Sequence, residues 1–243
     1  MRYPKLQLPV RFYLAGCSQS GKSSLLKAMI DHQAELFERS FTRIIIARRA
    51  VDELHLALQR AYPDLVELVT GMPMEFLDSI EEQVRPGDNI LLIFDDLISV
   101  VAESRDAENA FYVSSSKFGV SIVLTSQNIF HRSTKLRNIS LNCNLIGLTQ
   151  NLRDATQVAS LARQLYPENP QFLVDAYHKT MRLKPFNYLL INLQPLCDDR
   201  LRVVTGILPY EDRIYWLPKK RFGGVAAKKA GKRLLKRLAN ATG

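Results

Sequence analysis

Cysteine and histidine are scarce in this sequence, and neither is clustered. The three cysteines, Cys17, Cys143 and Cys197, are odd in number, lie far apart and form no C-x-x-C pair. That argues against a disulfide or zinc framework and for a reducing compartment. The four histidines, His32, His55, His131 and His178, show no metal-ligand spacing, which counts against a histidine-bound metal. No apolar run reaches the roughly 18 residues that a membrane span needs. The opening residues, MRYPKLQLPV, lack the apolar centre of a signal peptide. Acidic residues are missing altogether from Lys219 to the end. Nine of the 33 lysines and arginines fall there, leaving 24 in the body against 24 acidic residues. The body is therefore neutral, and the net charge of +9 resides in the tail. Such an asymmetry marks an interaction tail. What the sequence does have is apolar mass: 47% of 243 residues are hydrophobic, enough for one large domain with a full core.

The rest of the chain is organised around the stretch Arg11 to Ile30. Within it Gly16, Cys17, Ser18, Gln19, Ser20, Gly21, Lys22 and Ser23 spell the P-loop pattern G-x4-G-K-[ST], followed by Ser24. A glycine-bearing turn of this kind lets successive backbone N–H groups curl around phosphate oxygens. The N-terminus of the helix that follows adds partial positive charge. Lys22 would reach the β- and γ-phosphates of ATP, and Ser23 would hold Mg²⁺. The context suits the motif. Phe12 to Ala15 read as a short buried strand before it, and Leu26, Met29, Ile30 and Phe37 recur at helical spacing after it.

Beyond this stretch the pattern alternates. Strands are expected over Thr42–Ala47, Leu65–Thr70, Ile90–Phe94, Val120–Ser126, Leu145–Leu148, Tyr188–Asn192 and Leu201–Leu208. Helices are expected over Val51–Ala61, Met74–Val84, Asp106–Phe118, Arg153–Leu165 and Gln171–His178, with Pro167 and Pro170 ending the fourth. Alternating β and α segments with continuous apolar strands imply an α/β fold with a mostly parallel sheet covered on both faces. Pro218 is the credible boundary between an ATPase domain, residues 1–218, and a tail, residues 219–243.

Two further clusters could carry chemistry. Asp95 and Asp96 close the apolar strand Ile90–Phe94, at the end where open α/β sheets bind ligands. In a Walker B arrangement Asp95 would hold the metal, and Asp96 would orient or deprotonate the attacking water. Standing alone, the pair would read first as a helix cap; the P-loop upstream favours the metal reading. Thr125-Ser126-Gln127-Asn128 closes the strand Val120–Ser126. There the Gln127 amide could address the γ-phosphate or the attacking water, or the segment could simply satisfy its own backbone.

Several blocks together resemble a known family. They are Asp95-Asp96, Gln127-Asn128-Ile129-Phe130, Arg137-Asn138-Ile139-Ser140-Leu141-Asn142, Arg153-Asp154, Gln164-Leu165-Tyr166-Pro167, Phe186 to Leu193, and Arg200-Leu201-Arg202. With the P-loop they resemble the FtsK/HerA-type DNA-packaging ATPases of double-stranded DNA viruses. The nearest likeness is to Polinton/Maverick-type and adintovirus proteins, and the poxvirus packaging ATPase is more distant. The likeness spans Val10 to Pro209. It implies a P-loop NTPase of the additional-strand (ASCE) class with sheet order 5-1-4-3-2, the Gln127 strand lying between the P-loop and Walker B strands. It implies ATP and Mg²⁺ as ligands and a homo-oligomeric ring, a hexamer or pentamer, that threads double-stranded DNA into a preformed capsid through a capsid or portal partner. It also implies an intracellular setting, the host nucleus or a cytoplasmic assembly site, with transient presence on the virion. In such rings an arginine reaches the neighbour's γ-phosphate; Arg137 matches the Arg-x-Ile-Ser block, and Arg153 is the second candidate. The chain departs from the family at Ser114 to Gly119, where a basic, histidine-bearing turn is common, and at Leu152, where proline is common.

The tail reads as a basic amphipathic helix. Lys228, Lys229, Lys232, Arg233, Lys236 and Arg237 occupy one half of its wheel; Ala227, Ala230, Leu234, Leu235 and Leu238 occupy the other. It suits DNA phosphates, a capsid or membrane surface, or nuclear import. Competing functions are a helicase- or conjugation-type DNA pump, a P-loop small-molecule kinase, and a nucleotide switch that barely hydrolyses.

Overall fold

The computed structural model describes residues 3–151 and 155–218. It contains one nine-stranded sheet. The strands are β1 (Arg11–Ala15), β2 (Arg43–Arg48), β3 (Val66–Thr70), β4 (Ile90–Asp95), β5 (Ser121–Ser126), β6 (Leu145–Thr149), β7 (Tyr188–Asn192), β8 (Val203–Thr205) and β9 (Ile214–Tyr215). Their spatial order is β3-β2-β4-β5-β1-β6-β7-β8-β9. All pairings from β3 to β6 are parallel; those among β6, β7, β8 and β9 are antiparallel. The segment β6-β1-β5-β4-β2 is the expected 5-1-4-3-2 core. The strand that leads to Gln127 lies between the P-loop strand and the strand ending in Asp95.

Side-chain alternation builds the two faces. Along β1, Phe12 and Leu14 enter one core while Tyr13 and Ala15 enter the other; along β4, Leu91 and Ile93 part from Ile90, Leu92 and Phe94. Because successive strand residues point to opposite faces, a sheet covered on both needs unbroken apolar runs. The helix α1 (Lys22–Asp31) and the helices Gln33–Leu36 and Glu53–Ala61 cover the first face. Helices between Met74 and Leu183, including Thr134–Asn142, Ala155–Leu165 and Pro170–Leu183, cover the second.

Some local expectations change. The helix expected over Met74–Val84 is two, Met74–Asp78 and Ile80–Gln83, parted at Ser79, whose hydroxyl donates to the Glu75 carbonyl at 2.6 Å. A Ser hydroxyl that bonds back one turn competes with the helix ladder. Pro170 does not end a helix. It opens Pro170–Leu183, at a first-turn position where its missing N–H costs nothing. The helix expected from Asp106 begins at Arg105, and Ala110–Ser114 within it is wound as a π-helix. The Leu201–Leu208 strand contracts to Val203–Thr205. The helix Thr134–Asn142 was not expected, since Leu136 and Ile139 are its only buried residues. The strand β9 was not expected either. The proposed tail helix and Arg153 lie outside the described residues. No helix of the described residues is long and apolar enough to cross a membrane.

Gly147, central in β6, shows how tightly the sheet is covered. A Cβ there would stand 2.7 Å from Leu14 Cδ1 and 2.8 Å from the Phe12 ring. Gly147→Ala is therefore expected to destabilise the fold by about 1–3 kcal/mol through overpacking. Urea unfolding checks this; an unchanged midpoint would mean the Phe12 ring yields without cost.

Candidate nucleotide site

The ends of β1, β5 and β6 shape the P-loop. The Gly16 N–H donates to the Ser126 carbonyl at 3.0 Å, and the Cys17 N–H to the Gln150 carbonyl at 3.2 Å, so the turn is pinned to both flanks. Gly16 is required by close approach: a Cβ would fall 1.8 Å from Thr149 Oγ1. That oxygen in turn pairs with Ser20 Oγ at 2.6 Å. Gln19 (φ 59°) and Gly21 (φ 92°) are both left-handed, which curls the backbone into an anion-accepting hollow. No side chain caps α1 and its first turn holds no acidic residue. The leading N–H groups of a helix have no intrahelical acceptor, so those of Lys22, Ser23 and Ser24 are left for an anion. Lys22 Nζ donates to the carbonyls of Gly16 (2.7 Å) and Cys17 (2.8 Å). Burial lowers its pKa, and the nearby Asp95 carboxylate offsets part of that. Cys17 Sγ lies 3.0 Å from the Gln150 carbonyl.

Asp95 is the last residue of β4 and is almost fully buried. Ser23 Oγ donates to its Oδ2 at 3.1 Å and Thr125 Oγ1 to its Oδ1 at 2.7 Å. The two expected magnesium ligands, Ser23 and Asp95, thus touch across 72 residues of sequence. Both offer hard oxygen donors at the wall of one pocket, the chemistry that Mg²⁺ prefers. Thr125 serves Asp96 as well, its hydroxyl accepting the Asp96 N–H at 3.0 Å. Asp96 is exposed and left-handed (φ 56°). A pocket of about 140 Å³ opens between the P-loop and these strand ends, and its lining includes Lys22, Ser23, Asp95, Asp96 and Gln127.

The segment after Gln127 is fixed by side chains. Gln157 Oε1 accepts the N–H groups of Ile129 (2.6 Å) and Phe130 (3.0 Å). The hydroxyls of Tyr13 (2.9 Å) and Ser126 (2.7 Å) both donate to the Asn128 carbonyl. Gln127 itself is exposed at the mouth of the pocket. Arg137 is exposed on the helix Thr134–Asn142, does not line the pocket, and forms no ion pair with another described residue.

Three residues that no sequence motif singled out also gather at Asp95. Arg48 ends β2, directly opposite Asp95 in the parallel register, with its Nη1 at 3.8 Å from Asp95 Oδ2. His55, from the helix Glu53–Ala61, places Nε2 3.3 Å from Asp95 Oδ2 and Nδ1 2.6 Å from Asp52 Oδ1. Asp52 caps that helix and accepts from Arg48 Nη1 at 2.8 Å. Burial pushes the Asp95 carboxyl up, yet hydrogen bonds from His55 and Thr125 and the Arg48 charge outweigh it and hold the pKa below the usual range. Burial opposes a charge on His55, but its bonds to Asp95 and Asp52 prevail and raise its pKa, against the repulsion of Arg48. A signal for Arg48 was legible: it follows an apolar strand at the ligand-binding end. None marked His55.

No protein-family model matches the sequence, and no curated protein does. Solved structures superpose on this chain. The genome packaging NTPase B204 from Sulfolobus turreted icosahedral virus 2, in complex with sulfate, superposes with a TM-score of 0.50 at 13% identity over 85% of this chain and 95% of that one. The same NTPase with ATP-gammaS gives 0.49 at 14% identity, over 85% and 96%. EssC (ATPases 2 and 3) from Geobacillus thermodenitrificans gives 0.49 at 13% identity, over 95% of this chain and 44% of that one. The fold is that of the P-loop NTPases: a mostly parallel sheet between helical layers.

Proposed function

We propose that this chain is an ATP-hydrolysing translocase of double-stranded DNA that packages a viral genome into a preformed capsid. The observation that carries the ATPase reading is the contact of Ser23 with Asp95 beside the P-loop, at the wall of a phosphate-sized pocket. The P-loop N–H groups and Lys22 bind and orient the β- and γ-phosphates. Ser23 and Asp95 would hold Mg²⁺, which would supply positive charge at the phosphate oxygens. Asp96, at the open side, orients the attacking water and accepts its proton, and the Gln127 amide beside it addresses the γ-phosphate or that water by hydrogen bonding. Arg137, exposed and unpaired, reaches from one subunit into the site of the next; Arg153 is the alternative donor.

The packaging part rests on the family resemblance, with support from the shared fold of B204, itself a genome packaging NTPase. The partner chemistry follows from charge. Nine basic and no acidic residues after Pro218 suit a polyanion such as DNA; a capsid, portal or membrane surface would take the leucine face. A homo-oligomeric ring of five or six subunits at an intracellular assembly site completes the reading.

The test is steady-state ATP turnover with and without double-stranded DNA, alongside the mass of the assembled species. The expected result is DNA-stimulated turnover that weakens steeply as salt rises, since each phosphate contact contributes about −0.9 to the log–log slope, by a particle several times 27.7 kDa. Turnover indifferent to DNA at all salt concentrations would overturn the translocase reading and leave the ATPase standing.

A further inference from the structure

We propose that Arg48 is a second phosphate-binding cation of this site, supplied by the same chain from the end of β2 and directed at the γ-phosphate. The inference deepens the ATPase reading and rests on it. Three observations carry it.

The first is placement. Arg48 lies opposite Asp95 in the β2–β4 register, and its side chain, 13% exposed, lines the same pocket as Lys22, Asp96 and Gln127.

The second is unspent hydrogen-bonding capacity. Nη1 is engaged by Asp52 at 2.8 Å and lies against the His55 ring, but the buried Nε has no partner among the described residues. At 3.8 Å from Oδ2, the guanidinium is not a hydrogen-bond donor to Asp95. The hydrogen-bond partners of Asp95 are other groups: Ser23, Thr125 and His55 face its two oxygens. A planar guanidinium that is anchored through one nitrogen and keeps an unpartnered donor is suited to a forked contact with phosphate.

The third is charge balance. Asp95 and Asp96 together offset more than Lys22 alone. Without Arg48 the pocket would be net negative before an anionic nucleotide entered. With it, the two carboxylates that line the pocket face two lining cations, while Asp52, outside the lining, holds Arg48 from behind. Asp52 and His55 are positioning residues in this scheme: Asp52 is itself fixed as a helix cap, and it holds both Arg48 and His55.

The test compares affinities for ATPγS and ADP, each with Mg²⁺, by calorimetry on the full chain. Only ATPγS carries the terminal phosphate, so Arg48→Ala is expected to weaken ATPγS about ten- to a hundredfold, the range of one charge-assisted hydrogen bond, and ADP less than about twofold. Arg48→Lys, which keeps the charge and loses the fork, is expected to fall between. Asp52→Asn, which loosens the anchor while keeping the cation, is expected to cost ATPγS a smaller factor and again spare ADP. Equal losses for both nucleotides, or none, would overturn the assignment and leave Arg48 a support for Asp95. A wild-type chain that binds neither nucleotide would overturn the site itself, and this inference with it.

Discussion

Lys22→Ala is expected to reduce ATP turnover at least a hundredfold, on the order of what removal of one preorganised charge-stabilising donor costs. The Lys22 ammonium rests on the Gly16 and Cys17 carbonyls, at the rim of the loop that would cradle phosphate. That rest position is a poised one. Burial already disfavours the charge, so an incoming phosphate that pairs with it gains more than it would in water. The side chain is only partly buried and fills no part of either apolar core, so the variant should fold normally. Asp95→Asn is the companion. It keeps the volume between Ser23, Thr125 and His55 but removes the negative charge that Mg²⁺ requires. Phosphate release with matched far-ultraviolet circular dichroism checks both. Near-normal turnover in either folded variant would refute the assignment of the pocket.

Arg137→Ala is expected to lower turnover about a thousandfold, the lower end of what an arginine supplied across a subunit boundary contributes, while nucleotide binding stays close to normal. The structure of one chain leaves Arg137 outside its own pocket. Leu141, one turn further along the same helix face, is 64% exposed. Arginine is enriched where proteins meet, which suits the proposed reach of Arg137 into a neighbouring subunit. Mixed assemblies decide the matter. Arg137→Ala subunits retain an intact pocket, and Asp95→Asn subunits retain an intact Arg137, so a mixture should recover part of the lost turnover. No recovery at any ratio would assign Arg137 to a purely structural role.

Much of the site was legible because its parts are local. The P-loop needs left-handed and close-approach positions at fixed spacing, and Gly16 and Gly21 meet those needs within one short stretch of sequence. Gly16 turned out to be required by Thr149 rather than by its own dihedral angles. Asp95 was legible because a carboxylate that ends a doubly buried strand is rare without a partner or a ligand to hold. What escaped was lateral. Nothing near Thr125 announces that its hydroxyl would bridge Asp95 and the Asp96 N–H, because that depends on β4 and β5 lying side by side in one register. The antiparallel edge β7–β9 escaped for the same reason: alternation reveals which residues are buried but not which strand lies beside which, or in what direction.

Taken alone, the amino-acid order determined an α/β domain, a phosphate-shaped turn at Gly16–Ser23 and a neutral body with a basic tail, because each follows from short-range spacing, steric limits and charge. Only the tertiary structure decided that Arg48, Asp52 and His55 gather around Asp95. Their meeting requires β2 to pair with β4 and the helix after β2 to turn its buried face toward the same strand end. Strand neighbours and register are settled by packing the whole sheet at once, and no window of the chain carries that information.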